Sequence, residues 1–261
     1  MDIGLVNNSK AIKQRKPDVY QELFSRCFLV VSTPVKFFWG GEYGSHIGAP
    51  LIGQNIPLRT YVGIETIKGK GRIEIVDKMY VPSEDRFTSQ MDTVHRSKLT
   101  EYLIDRAAHY YETKDFTSLR IYSVSEISPG CGMGMSGSFS TALAVALLMD
   151  SKKIAQQDIY KWSKTPTRSL SQIRNFDRTF RLAWKFSSLL HDGISSGGAA
   201  FMAFIGSLYP ILYFSEKRVD ALNAAPEARS PLNVKENYNL VNRFFYGGVK
   251  LDELFGFKER P

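Results

Sequence analysis

The chain has 261 residues, of which 43% are hydrophobic, 13% aromatic and 23% charged. That is ample material for a buried core and excludes a disordered or collagen-like chain. Its 34 Lys and Arg exceed its 26 Asp and Glu, a formal net charge of +8, which suits anionic partners such as phosphorylated small molecules, nucleic acid or a membrane surface. The basic residues are scattered, with concentrations at 10–16 and 161–181 and no zinc-finger spacing or RNP-type motif. They read as a solvated surface, and nucleic acid is not the expected partner. The longest strongly apolar stretch, 139–149, is about half the roughly 20 residues a membrane span needs, and Ser140 and Thr141 interrupt it. The first ten residues lack the apolar segment of a secretory signal. Cys27 and Cys131 are far too few for a disulfide scaffold. A cytoplasmic protein without a membrane partner is expected.

After a polar, basic lead-in, residues 27–32 and 35–39 read as two strands on either side of Pro34. Gly40, Gly41, Gly44 and Gly48 punctuate a loop, and apolar runs at 51–56 and 58–67 follow. Residues 72–81 alternate Ile73 and Ile75 with polar side chains, as a half-buried strand does. Leu99, Leu103, Ala107 and Tyr110 recur at spacings of four and three, which predicts an amphipathic helix between Val94 and Tyr111. Residues 118–127 return to strand. The stretch 128–138 then holds four glycines, and 139–149 is apolar nearly all round, so it reads as a buried helix. Phe176, Phe180, Ala183 and Leu190 mark one face of a helix stopping near Gly193. Residues 199–205 read as a short buried helix and 208–214 as a strand. From Ser215 the composition turns polar and gains Pro226 and Pro231, which suggests a boundary.

Between a strand and a buried helix, the loop Pro129, Gly130, Cys131, Gly132, Met133, Gly134, Met135, Ser136, Gly137, Ser138 offers backbone N–H groups and a helix dipole to an anion. Phosphate is the natural candidate: glycines permit close approach and positive φ, and Ser136 and Ser138 carry hydroxyls. No Gly-Lys-Ser/Thr follows, so this is not a Walker A loop, and a long mixed β-region precedes it, unlike a dinucleotide fingerprint. Glycine-rich turns also occur for packing alone.

The same stretch resembles the second motif of the GHMP kinases, the family of galactokinase, homoserine kinase, mevalonate kinase and phosphomevalonate kinase. Gly132, Met133, Gly134, Met135, Ser136 follow its Gly-Leu-Gly-Ser-Ser core, with Met for Leu and Met for the first Ser. Thr33, Pro34, Val35, Lys36, Phe37, Phe38, Trp39, Gly40, Gly41, Glu42, Tyr43, Gly44 resemble the first motif, especially that of heptose-type sugar kinases. The Gly41, Glu42 pair also resembles the Gly-Glu-His-x-Asp-Tyr of galactokinase, with Ser45 where the substrate-binding Asp would stand and His46 beside it. Residues 192–206 resemble the third stretch of the family, and two ways of counting place Ala199 where the catalytic Asp is expected. Ser187 and Ser188 stand where a magnesium-binding Glu is expected.

The resemblance covers about residues 28–214 and implies an α+β fold, a two-layer sandwich of the ribosomal S5 domain-2 type. It divides the chain into a nucleotide-binding body at 1–214 and a partial C-terminal region at 215–261. The chain is short for the family, and the C-terminal glycine motif is not found; Gly247 and Gly248 are too isolated to supply it. It implies an ATP- and Mg2+-dependent kinase acting on an alcohol of a sugar or sugar phosphate. Gly130, Gly132, Gly134, Ser136, Gly137 and Ser138 would bind the nucleotide, and Ser136 would also touch the metal. Gly41, Glu42, Ser45 and His46 would line the substrate, and Asp192 is the nearby acid able to replace the missing base. The alternative is a nucleotide-binding or interaction protein that kept the fold and lost catalysis. His46, His95, His109 and His191 have no metal-type spacing. Trp39, Trp162 and Trp184 read as core or subunit contacts, which leaves a homo-oligomer open.

Overall fold

The computed structural model describes residues 9–42, 45, 51–89, 91–128, 130–165, 170, 173–193 and 195–206, and the backbone of 211–214 and 247–250. Its spine is β2 (Leu51–Lys70), a strand of 20 residues. One edge of β2 carries β1 (Leu29–Gly40), from Leu29 opposite Ile64 to Gly40 opposite Ile52. The other edge carries β5 (Thr117–Ser125) along Thr60 to Lys70 and β6 (Ile211–Phe214) along Leu51 to Gly53. Beyond β5 lies β3 (Ile73–Val81), the parallel partner, and then β4 (Arg86–Thr88). Beyond β6 lies β7 (Gly247–Lys250), so a strand from the C-terminal stretch pairs with the body's sheet. The parallel pair needs a crossover, and α3 (Thr93–Tyr110) supplies it.

The helical layer covers one face. The central helix α4 (Met135–Asp150) packs on β1 and β2 and is flanked by α6 (Arg174–Leu189) and α7 (Gly198–Ile205). It is apolar all round because sheet and helices enclose it: Phe139, Leu143, Ala144 and Leu147 are buried with Val62, Ile64, Leu119 and Ile121 of the sheet and Phe180, Trp184 and Phe201 of the flanking helices. Trp162 of α5 (Gln156–Lys164) is buried edge-on to Phe176. Trp39, expected as a core or subunit contact, is not in the core: it is 64% exposed and stands edge-on to Phe37. The architecture is α+β with a mixed sheet, as expected. Among the described residues no helix is long and apolar enough to cross a membrane, and Cys27 and Cys131 are free thiols.

Three local features differ from the sequence reading. The two strands around Pro34 are one strand, in which the register shifts between Pro34 and Val35; an irregularity accommodates a residue that cannot donate to the ladder. The runs on either side of Pro57 likewise form one strand. The lead-in contains α1 (Ser9–Arg15) and α2 (Pro17–Arg26), with Pro17 at the first turn where its missing N–H costs nothing. They bury Ile12, Tyr20 and Leu23 against Tyr61, Tyr80, Tyr122 and Val124 on the sheet's second face. Three buried side chains among many charges produce too weak a periodicity to read.

Glu126, 1% exposed, fixes these helices to the sheet. It accepts from Ser9 Oγ at 2.8 Å, the Tyr20 hydroxyl at 2.9 Å and the Arg59 N–H at 2.7 Å. Burial first, and then this carboxylate, push the Tyr20 phenol well above its usual range. A second buried carboxylate, Asp77 of β3, pairs with Arg96 of α3 at 2.5 Å and accepts from Ser89 Oγ and the Met91 N–H. It thereby sets where the N-terminus of α3 meets the sheet.

The approach of α2 depends on Gly63, where an added Cβ would lie 2.5 Å from Cys27 Sγ and 2.8 Å from Leu23 Cδ1. Gly63→Ala is expected to lower stability by about 1–3 kcal/mol through overpacking, read as a shifted urea midpoint with an unchanged slope.

Candidate active site

After β5 the chain passes through Gly130, Gly132 and Gly134 at φ of 78°, 72° and 68° before α4 begins. This left-handed conformation repeats at every second residue and is cheap only for glycine. Gly134 is the N-cap residue of α4 and gives it no side-chain cap. The first N–H groups of the helix therefore lack a side-chain cap at the positive end of its dipole.

Beneath the loop lies Lys36 of β1, with a side chain only 3% exposed. Its backbone N–H donates to Met133 O at 3.0 Å, and its Nζ donates to Gly132 O at 2.8 Å and to Glu42 Oε1 at 3.2 Å. The ammonium also lies 3.3 Å from the centroid of the Phe38 ring. Burial pulls its pKa below the usual lysine range, and Glu42 opposes that shift. A Cβ on Gly134 would fall 2.5 Å from Lys36 Cε, so glycine is needed there for space as well as for φ. The motif that suggested this region contains Lys36, but no role was expected for it; the signal was a lysine inside the otherwise apolar run 35–39.

The loop, Lys36 and the ends of α3, α6 and α7 enclose a cavity of about 470 Å³. Its polar wall includes Glu42, Asp92, His95, Ser136 and His191. Asp92 caps α3 by accepting the His95 N–H at 2.9 Å and also contacts His95 Nδ1. His191 Nε2 lies 2.6 Å from Ser136 Oγ. Burial lowers the His191 pKa, His95 and Lys36 lower it further, and Asp192 and Glu42 oppose them. Trp184 Nε1 donates to Ser195 O at 2.8 Å, which ties the segment before α7 to α6 and holds Ser195, Ser196 and Ala199 at the cavity wall.

Of the residues singled out from the sequence, Gly130, Gly132, Gly134, Ser136 and Glu42 line this cavity. Gly137 and Ser138 lie in packing contacts instead. A Cβ on Gly137 would be 2.5 Å from Ala199 Cβ, which makes it the close approach between α4 and α7. Ser138, 1% exposed, donates to Thr33 O at 3.1 Å while Thr33 Oγ1 donates to Ser138 O at 2.7 Å, fastening α4 to β1. Gly41 and Ser45 build the turn beside Glu42: the Ser45 N–H donates to Gly41 O at 2.8 Å and its buried hydroxyl to Glu42 O at 2.6 Å. His46 lies outside the described residues. Asp192, at φ 49°, is half-exposed, with its carboxylate 3.1 Å from Lys98 Nζ and 3.8 Å from His95 Nε2. Ser187 lines the cavity and lies 3.2 Å from Ser195 Oγ; Ser188 is buried. Among the described residues no three His, Cys, Asp or Glu side chains are grouped to hold a metal. The sequence reading did not select Lys36, His95 or His191 for this wall, because three distant elements bring them together.

No protein-family model matches the chain, and no curated protein matches it. Among solved structures it is similar to mevalonate kinase from methicillin-resistant Staphylococcus aureus, at 16% identity and TM-score 0.48 over 70% of this chain and 51% of that one. It is also similar to the Methanococcus jannaschii mevalonate kinase, at 14% identity and TM-score 0.46 over 88% of this chain and 73% of that one. A third is Streptococcus pneumoniae phosphomevalonate kinase in complex with phosphomevalonate and AMPPNP, at 17% identity and TM-score 0.47 over 84% of this chain and 58% of that one. The match thus spans about half the length of the first of these kinases.

Both Gly130 and Gly134 hold a left-handed backbone, but a Cβ at Gly130 would meet nothing within 4 Å. Gly130→Ala is therefore expected to cost about 1–2 kcal/mol from the backbone alone. Gly134→Ala should cost roughly 1 kcal/mol more because Lys36 must move. Paired denaturation curves of the two variants test the difference.

Proposed function

We propose that the chain binds ATP through the glycine loop and transfers its terminal phosphoryl group to a hydroxyl of a small molecule, a sugar or sugar phosphate. The observation that supports this most directly is the buried ammonium of Lys36 on the Gly132 carbonyl, beside an uncapped helix N-terminus. Phosphoryl transfer depends chiefly on positioning and on compensation of charge on the phosphate oxygens. Backbone N–H groups of the loop and of the first turn of α4 would orient the phosphates, and Lys36 would exchange Glu42 for a phosphate oxygen. The carboxylates on the wall, Glu42 and Asp92, are already engaged with Lys36 and His95. The described donors therefore do not form a magnesium cage, and Mg2+ in this reading accompanies the nucleotide as part of the substrate. Asp192 is the acid proposed to take the acceptor's proton, and it must leave Lys98 to do so.

A second reading, a nucleotide-binding protein without transfer, is favoured by one feature: Ala199 and Ser187 bring no acid to the wall they line. Turnover of ATP across a panel of sugars and sugar phosphates separates the two. Transfer by the parent chain, reduced about 10²-fold to 10⁴-fold in Asp192→Asn, is expected for a kinase using that base. Nucleotide binding with no transfer to any acceptor, and transfer restored in Ala199→Asp, supports the second reading. In either case Lys36→Met is expected to weaken ATP binding roughly 10-fold to 100-fold, the worth of a hydrogen bond to a charged group; calorimetry reads it. No measurable affinity in the parent chain overturns both readings.

A further inference from the structure

Ser136 and His191 form a pair that the reaction above does not use. Ser136 lies in the first turn of α4 and His191 just past the end of α6, and packing of the two helices brings Ser136 Oγ within 2.6 Å of His191 Nε2. The His191 N–H donates to Ser188 O at 3.1 Å, which fixes the backbone from which the imidazole projects. Both residues line the cavity that contains Gly130, Gly132 and Lys36. The groups whose charge reaches His191 are His95, Asp192, Lys36 and Glu42.

A serine hydroxyl within hydrogen-bond reach of an imidazole nitrogen has the geometry of a nucleophile beside its base. We propose that Ser136 is such a nucleophile, with His191 as its base, and that it accepts the γ-phosphoryl group of the bound nucleoside triphosphate. A bond forms between Ser136 Oγ and the γ-phosphorus. The bond from that phosphorus to the bridging oxygen breaks, and its electron pair leaves with the nucleoside diphosphate. The hydroxyl proton passes to His191 Nε2. The resulting phosphoserine stands in the first turn of a helix of 16 residues, where the dipole and the first-turn N–H groups favour a dianion. This inference rests on the nucleotide-binding reading and adds to it a covalent product on the chain itself.

The test incubates the full chain with magnesium and γ-labelled ATP, locates the label by mass spectrometry, and measures binding separately with a non-hydrolysable analogue. Label on Ser136, absent in Ser136→Ala and formed at least about 100-fold more slowly in His191→Gln, is the expected result. Binding of the analogue without label on Ser136 overturns the inference and leaves the nucleotide reading standing; no binding overturns both. An unchanged rate in His191→Gln removes the base. Labelling of Ser136 in the parent chain by a fluorophosphonate probe reads the activated hydroxyl without a nucleotide or a variant, and failure to label counts against activation.

Discussion

The ammonium of Lys36 joins the two halves of this site. A cation taken out of water costs several kcal/mol unless it is paired and hydrogen-bonded. Here a backbone carbonyl of the glycine loop, a carboxylate of the turn after β1 and an aromatic face share that task. The arrangement restricts several other residues. The loop must pass close enough for Gly132 to offer its carbonyl, Gly134 must lack a side chain where the lysine stem runs, and Phe38 must lie under the charge. One of the partners, Glu42, is 45% exposed and borders the cavity, so the pair is open to competition from an incoming anion.

The surrounding scaffold is rigid where the site needs a fixed direction. α4 is enclosed by sheet and helices, and Gly137 allows α7 to approach within contact distance of its backbone. Ser138 and Thr33 exchange hydrogen bonds across the start of α4 and β1. The N-terminus of α4 therefore cannot swing away from the cavity without breaking buried polar contacts, which in a low-dielectric interior are costly to leave unmade. Asp77 and Arg96 do the same for the N-terminus of α3, which brings Asp92 and His95 to the opposite wall.

Much of the fold was legible because its signals are local. Ile73 and Ile75 alternate as strand residues do, Leu99 to Tyr110 follow the helical period, and the apolar run after the glycine loop has the form of an enclosed helix. Chain punctuation was less dependable: Pro34 and Pro57 resemble breaks, yet each lies within a strand. The lead-in helices were not legible because α1 and α2 bury only Ile12, Tyr20 and Leu23, and a few apolar positions among charges carry no clear period. Trp39 has the composition of a core residue, but its side of β1 is not covered by the described residues.

By itself the sequence determined the α+β class and the location of the glycine loop between strand and buried helix. These depend on residue identity and short-range spacing. Which side chains face the loop was decided by tertiary structure alone. Lys36 reaches Gly132 across 96 positions of the chain, and Ser136 meets His191 across 55. Gly137 and Ser138, next to Ser136 in sequence, turn into packing because successive helical residues point about 100° apart. A helix presents only part of a motif to any one cavity, and neighbouring elements determine which part that is.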